Sequence, residues 1–400
     1  MKKKIAAIDI GTTKVCTIMG TVDSASGLRI LGVGVAPSRG IEKALVADTV
    51  KARESIRESI LKAQVMAGYR LQSAYIGVTG RHITSMNNKG AIAISHRDTQ
   101  VREEDMRRAL EVAASVRLQP EQKVLHIIPR SYRLDGFEVK NPIGMNGAEL
   151  EVEVHLIIAS TNSVQDLTKV IRGLGVSIDD LILEPLASAE AVLSEEEKQA
   201  GVLLADMGGG TTDVVIIRDG SILHTGVIPA AGHYITLDLS TGLGLSYELA
   251  EEMKKKYGTL IQAEYEDPDR TVGDDGGSVS FQSLREIMQI RVQEIIRLMI
   301  MDLPGRKAGV AVPAGLVLTG GCANIPGMVE FVQKFTEVPV RLGIPAGLTG
   351  VSIETLKNPA YATSVGLLLW AMKNKGTSHW VDDQPKGLRS LVGQLFNLFR

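Results

Sequence analysis

Ala7-Ile8-Asp9-Ile10-Gly11-Thr12-Thr13-Lys14-Val15 and Leu204-Ala205-Asp206-Met207-Gly208-Gly209-Gly210-Thr211-Thr212-Asp213-Val214 are one pattern written twice. Each is an apolar strand that ends in Asp, passes through Gly and two Thr, and resumes as an apolar strand. A glycine turn lets backbone N–H groups approach a phosphate, and Thr hydroxyls add donors. The Asp closing the first strand can hold a hydrated Mg²⁺ through its waters. One such turn alone is most often a plain hairpin. Two of them, facing each other, would grip a nucleoside triphosphate from both sides. Repetition at this distance is an internal duplication.

Around the first copy, strands are expected at 4–10, 14–20 and 28–35, then an amphipathic helix over 48–68 closed by Gly68 and a strand at 74–78. The second copy repeats that order, with strands at 202–206, 213–218 and 221–227 and a helix near 233–241. Strand–turn–strand–strand–helix–strand, used twice, predicts two mixed sheets covered by helices.

Residues 84–160 fit neither half and read as a compact insertion. A helix at about 101–116 carries Val101, Met106, Ala109, Leu110, Ala113 and Val116 on one face, and strands follow at 123–134 and 149–159. Leu150, Val152 and Val154 alternate with Glu151, Glu153 and His155, which predicts one solvated face. Residues 235–303 are mainly helical around an acidic, Gly-rich loop at 264–277. Leu316 to Gly327 returns to a strand and a turn, with Pro326 suited to the first turn of the helix that follows. A small-residue helix is expected at 359–372, and a polar linker with Gly376 and Pro385 at 373–386.

Composition narrows the function classes. A chain of 400 residues can build two domains, each with its own core, and 44% hydrophobic against 22% charged residues is an ordinary globular balance. The net charge of −2 provides no field for nucleic acid, which is not expected as a partner. Cys16 and Cys322 lie in apolar runs and read as buried thiols of a reducing compartment. The His residues show no metal-ligand spacing. Lys2 to Lys4 begin like a signal peptide, but the apolar run breaks at Asp9. No stretch approaches the roughly 20 apolar residues of a membrane-spanning helix. A cytosolic protein is expected, unless something anchors it at a surface.

Two further segments are candidates for the nucleoside. Thr319-Gly320-Gly321 follows a strand and could admit an adenosine edge against bare backbone. Ala250-Glu251-Glu252-Met253-Lys254 has two readings. Glu251–Lys255 and Glu252–Lys256 form i,i+4 surface pairs; or Glu251 meets a ribose hydroxyl and Lys254 lies along the adenine.

These residues resemble the actin, heat-shock-chaperone and sugar-kinase superfamily. Asp9 to Lys14 is similar to its first phosphate motif, Asp206 to Asp213 to its second, and Leu318 to Gly327 to its adenosine motif. Leu183-Glu184-Pro185-Leu186-Ala187-Ser188-Ala189 and Asn358-Pro359-Ala360-Tyr361-Ala362-Thr363-Ser364-Val365-Gly366 resemble its two connecting helices. Within the superfamily, Asn141-Pro142-Ile143-Gly144-Met145 with Leu150-Glu151 and His155, together with the C-terminal tail, resemble the FtsA family of bacterial cell-division proteins.

The resemblance implies an α/β fold, a duplicated ribonuclease-H-like actin fold with two lobes around a nucleotide cleft. Residues 1–83 with 161–194 and 356–372 would form the first ribonuclease-H-like subdomain, and 195–234 with 304–355 the second. Residues 84–160 would be an inserted α+β interaction subdomain, 235–303 a helical subdomain, 373–386 a linker and 387–400 a membrane-binding helix. The implied cofactors are ATP and Mg²⁺, with Asp9 and Asp206 near the metal through water. Gly11, Thr12, Thr13, Lys14, Gly208, Gly209, Gly210, Thr211 and Thr212 would fall on phosphates. Glu251, Lys254, Gly320, Gly321 and Asn324 would lie near the nucleoside. Glu184 matches the carboxylate that positions the attacking water; its plain reading is a helix-start Glu facing the macrodipole. At most a slow ATPase activity is implied.

From Gly387 the tail places Leu388, Leu391, Val392, Leu395, Phe396, Leu398 and Phe399 on one arc of about 160°, at roughly 100° per residue. Arg389, Ser390, Gly393, Gln394, Asn397 and Arg400 fill the rest. Too short to span a bilayer, it has the form of an interfacial helix, and Lys386, Arg389 and Arg400 favour anionic lipid. The competing reading docks it on the protein's own core.

The family resemblance implies further partners: the C-terminal peptide of the tubulin-like FtsZ on 235–303, other copies of the chain in filaments, and later division proteins. Arg291 is the candidate peptide contact, although Arg285, Arg291 and Arg297 scatter around their helix. The expected location is the cytoplasmic face of the cell membrane at the division site. Two other readings share the fold: a small-molecule kinase, and a pilus-assembly relative of the FtsA family. The tail speaks against both.

Overall fold

The computed structural model describes residues 3–23, 27–95, 98–262, 270–273, 278–303 and 312–373. The expected linker beyond Lys373, the tail helix with its membrane residues, and most of the acidic loop lie outside the described residues.

The first lobe opens with β1 (Lys3–Ile10), β2 (Lys14–Asp23) and β3 (Gly27–Pro37), an antiparallel meander. Helix α1 (Thr49–Ala67) starts where the Asp48 side chain accepts from the Val50 and Lys51 N–H groups, and ends at Gly68 with φ 74°. Its backbone lies directly on β3, since a Cβ on Gly34 would stand 1.9 Å from the Ser59 carbonyl oxygen. β4 (Ser73–Val78) then returns parallel to β1.

The insertion follows, with β5 (Ile83–Ala93), α2 (Glu103–Ala114), β6 (Gln122–Leu134), β7 (Phe137–Val139) and β8 (Glu149–Ser160). Its sheet runs β5-β8-β6-β7 and packs its own core, including Met106, Leu110, Ile127, Leu150, Val152 and Val154. Strand β5 escapes the sequence reading because its middle, Asn87-Asn88-Lys89, is polar. His155 also departs from expectation. It is buried rather than solvated, with Nδ1 2.6 Å from Asn87 Oδ1 and Nε2 2.9 Å from Thr225 Oγ1 of the second lobe. Burial pushes its pKa down to about 3, so the imidazole is neutral.

Helix α3 (Thr161–Arg172) leads to β9 (Ser177–Leu183), which pairs parallel with β4. Helices α4 (Glu184–Val192) and α5 (Glu195–Ala200) cross to the second lobe. There β10 (Val202–Met207), β11 (Thr212–Arg218) and β12 (Ser221–Ile228) form a second meander. Helices α6 (Gly232–Leu243), α7 (Tyr247–Tyr257) and α8 (Phe281–Asp302) follow. β13 (Leu316–Thr319), α9 (Met328–Gln333) and β14 (Val340–Leu342) complete this lobe. The sheets run β3-β2-β1-β4-β9 and β12-β11-β10-β13-β14, the same order with the same senses, so the duplication in sequence is a duplication in topology.

The return to the first lobe comes earlier than 356. β15 (Thr349–Gly350) already pairs with β3, with Gly350 at φ 115° pressed on the Ile30 backbone. Helix α10 (Ala362–Lys373) closes the described chain. Pro326 sits in the turn ahead of α9, which is entered from Gly327 at φ 77°.

Candidate nucleotide site

Both quoted hairpins close in the same way. The Gly11 N–H donates to the Lys14 carbonyl at 3.0 Å, and the Gly208 N–H to the Thr211 carbonyl at 2.9 Å. In register Asp9 stands opposite Cys16, and Asp206 opposite Asp213. The two tips meet. A Cβ on Gly209 would lie 2.1 Å from Thr13 Oγ1, and one on Gly210 2.5 Å from Thr12 Oγ1. The second hairpin therefore needs bare backbone where the first carries Thr.

Behind the tips, Asp9, Asp206, Asp213 and Glu184 are all buried. A hydroxyl serves each Asp. Ser364 donates to Asp9 at 2.5 Å, Ser188 and Thr363 to one oxygen of Asp206 at 2.5 and 2.9 Å, and Thr79 and Thr211 to Asp213 at 2.6 and 3.2 Å. Ser188 and Thr363 reach the same oxygen because α4 and α10 touch backbone to backbone; a Cβ on Gly366 would sit 1.8 Å from the Ala187 carbonyl oxygen. Burial, then Asp9, Asp213 and Asp206, lift the Glu184 carboxyl well above its usual range. Burial, reinforced by Asp206, pushes Asp213 up to about 7, against the hydrogen bonds of Thr79 and Thr211. Burial raises Asp206 as well, against Ser188 and Thr363. Lys14 brings one positive charge to this cluster, and its Nζ donates to the Ala360 carbonyl at 2.5 Å.

A cavity of about 20 Å³ opens beside Glu184, between Thr79, His82, Ile41 and Ala44. That volume holds about one water.

On the nucleoside side, Gly320 has φ 87° and lies against Asp206 and the Met207 carbonyl, while Gly321 faces open space. Lys254 Nζ donates to the Gly232 carbonyl at 3.0 Å, to Thr236 at 2.7 Å and to Glu251 at 2.6 Å. Glu251 also pairs with Lys255 at 3.0 Å, the first of the two i,i+4 pairs read from the sequence. Asn324 Nδ2 donates to Asn358 Oδ1 at 2.9 Å. Arg291 lies 5.4 Å from the centre of the Tyr234 ring of α6. Asp238 accepts from two of its nitrogens, at 2.5 and 2.8 Å, and Glu294 from a third at 2.6 Å. Its charge is spent within the protein.

Sequence reasoning passed over Asp213, Thr79, Ser188, Thr363 and Ser364. Asp213 lay inside the quoted repeat, and the three hydroxyls of α4 and α10 inside the quoted connecting segments. Thr79 carried no local signal.

The residues suit a magnesium nucleotide. Bare backbone at Gly209 and Gly210 lets the two hairpin tips close on each other, and Gly321 faces open space where a nucleoside edge could lie. Four buried carboxyls gather around one ammonium, a setting in which a further cation would favour their ionised forms. Among the described residues no group of three or more His, Cys, Asp or Glu stands together as a direct metal cage.

A family model described as "Cell division protein FtsA" matches residues 203–366, and one described as "SHS2 domain inserted in FTSA" matches 80–158. Cell division protein FtsA of Pseudomonas aeruginosa is 39% identical over 401 residues, covering 96% of this chain and 95% of its own length. The chain belongs to the FtsA family of cell-division proteins. The FtsA of Escherichia coli strain K12 is 35% identical, over 92% of this chain and 90% of its own. Among solved structures, the PilM–PilN type IV pilus biogenesis complex is similar with a TM-score of 0.68 at 16% identity, covering 92% of this chain and 98% of that one. MreB5 of Spiroplasma citri bound to ADP is similar with a TM-score of 0.55 at 14% identity, over 92% and 96% of the two chains. At such identities the likeness is one of fold. The FtsA-family chain has the actin fold with an SHS2 insertion.

Proposed function

We propose that this FtsA-family chain binds ATP with Mg²⁺ between its lobes, assembles into actin-like filaments, and tethers FtsZ filaments to the cytoplasmic membrane at the division site, where it recruits later division proteins. The observation that carries the reading is the meeting of two phosphate-type hairpins over a buried carboxylate cluster. Gly11 to Lys14 and Gly208 to Thr212 bind the phosphates from opposite sides. Glu251, Lys254, Gly320, Gly321 and Asn324 frame the nucleoside. When bound, Mg²⁺ supplies positive charge that offsets Asp9 and Asp206. Glu184 borders a cavity sized for one water, but its carboxyl holds its proton well above the ordinary range.

The groove lined by Leu260, Ile261, Gln282, Arg285, Gln289 and Lys334 is the proposed seat of the FtsZ peptide. Its exposed Ile261 and Lys334 offer an apolar and a cationic side chain to an acidic-hydrophobic peptide, beside the acidic Glu286. The membrane contact is assigned to the tail helix on its sequence alone. Its two Phe and four Leu contribute on the order of 1.5–3 kcal/mol each when fully buried, enough for reversible anchoring that filament avidity strengthens.

Co-sedimentation with anionic vesicles in Mg-ATP tests the tether, comparing the full chain with one cut after Gln384. Only the full chain is expected to pellet with lipid. Equal behaviour of the two chains would remove the anchor role.

A further inference from the structure

Between β3 and α1 the chain forms a small hairpin, Ile41–Glu42 paired with Leu45–Val46. It hangs from a clamped base, where the Ala47 and Asp48 N–H groups both donate to the Gly40 carbonyl at 2.9 and 3.0 Å. Its turn residues, Lys43 and Ala44, have φ of 49° and 63°. Such turns usually hold Asn-Gly. Left-handed backbone at two consecutive non-glycine residues persists only where the surroundings enforce it, and it concentrates at functional sites.

The surroundings are the phosphate hairpins and the other lobe. A Cβ on Gly210 would lie 3.2 Å from Lys43 Cα, so the turn rests on the tip of the second hairpin. Lys43 Nζ donates to Tyr234 Oη of α6 at 3.0 Å and lies 5.3 Å from the centre of that ring. Beneath, Ile41, Ala44 and Leu45 line the cavity shared with Glu184, Thr79 and His82. Both ring nitrogens of His82 are buried there without a hydrogen-bond partner. The hairpin thus covers the Glu184 end of the cleft.

We propose that this hairpin is a lid over the terminal-phosphate end of the nucleotide cleft, and that Lys43 is its phosphate-reading residue. The inference rests on the ATP reading above. Lys14 is already engaged at the Ala360 carbonyl, whereas Lys43 is exposed and held by a neutral phenol. Exchanging that phenol for a terminal phosphate converts a neutral acceptor into a charged one, and charge-assisted bonds are the stronger kind. Tyr234 then acts as the parking position that couples α6 to the nucleotide state.

Titration calorimetry of the full chain with Mg-ATP and Mg-ADP tests this. Lys43→Met is expected to weaken ATP binding ~10-fold while leaving ADP within about twofold, a loss the size of one charge-assisted bond. Lys43→Arg should restore most of the ATP affinity, and Tyr234→Phe should leave it intact or raise it. Retained ADP affinity reports that the variants are folded. Equal loss of both nucleotides in Lys43→Met, or loss of neither, overturns the lid. A wild-type chain that binds neither nucleotide overturns the ATP reading and the lid together.

Discussion

Asp213 shows how one residue changes meaning between sequence and structure. In the sequence it closes a repeat; in the fold it faces Asp206 across β10 and β11, and its carboxyl rises from the ordinary 3.8 to about 7. A carboxyl whose folded value lies above its unfolded value holds a proton that the unfolded chain has released. Stability is then full below about pH 4 and is lost as pH rises through about 7. Glu184 and Asp206 shift in the same direction. The nucleotide-free protein is therefore expected to melt lower at about pH 7.5 than at about pH 5.5, by ~3–6 °C, with Asp213→Asn flattening the slope. Thermal melts of both proteins at the two pH values check this, and identical slopes would show that Asp213 is ionised in both states. The repeat made Asp9 and Asp206 conspicuous because strand-end carboxylates before glycines are rare. Thr79 was silent, since a Thr ending a strand matters only once that strand lies beside Asp213.

At the scale of elements, α4 and α10 matter most. They are joined through small residues, and Gly366 lets the α10 backbone touch the Ala187 carbonyl. That closeness delivers Ser188 and Thr363 to one oxygen of Asp206 and Ser364 to Asp9. A side chain at 366 must push the helices apart. Gly366→Val is expected to cost at least ~1–3 kcal/mol by overpacking and to weaken nucleotide binding along with it. Urea unfolding and nucleotide titration of the same variant read both effects. Unchanged nucleotide affinity in a destabilised variant would mean that the hydroxyls do not position the carboxylates. The small-residue character of both helices was legible in the sequence; their mutual contact was not, because α4 and α10 are far apart in the chain.

At the scale of the molecule, the lobes are bridged at several places. The hairpin tips meet, Lys43 bonds Tyr234, and the insertion leans on β12. Ser85 and His155 reach Thr225, Asn87 reaches the Leu223 carbonyl at 3.3 Å, and Ser221 donates to the Arg130 carbonyl at 2.9 Å. A ligand seated between the lobes stabilises whatever needs both. At a hundredfold excess over its dissociation constant, Mg-ATP is expected to add ~2.7 kcal/mol to stability. Melting with nucleotide, and with nucleotide plus EDTA, checks it; chelation should remove most of the gain. No gain from Mg-ATP would mean that the folded chain does not bind it.

The sequence by itself determined the duplicated lobes, because an apolar strand, Asp, glycine and Thr are each local choices that need no partner to be read. It likewise marked the insertion by its own helix and alternating strand, and the C-terminal segment by its amphipathic period. Only the tertiary structure decided which groups share a site. The hydroxyls of α4 and α10 on the carboxylates, the burial of His155 and the reach of Lys43 to Tyr234 all join residues distant in the chain or on opposite lobes. Arg291 makes the same point in reverse: its guanidinium looked available until Asp238, on another helix, was folded against it. Burial and charge proximity are properties of packing, and no local pattern encodes them.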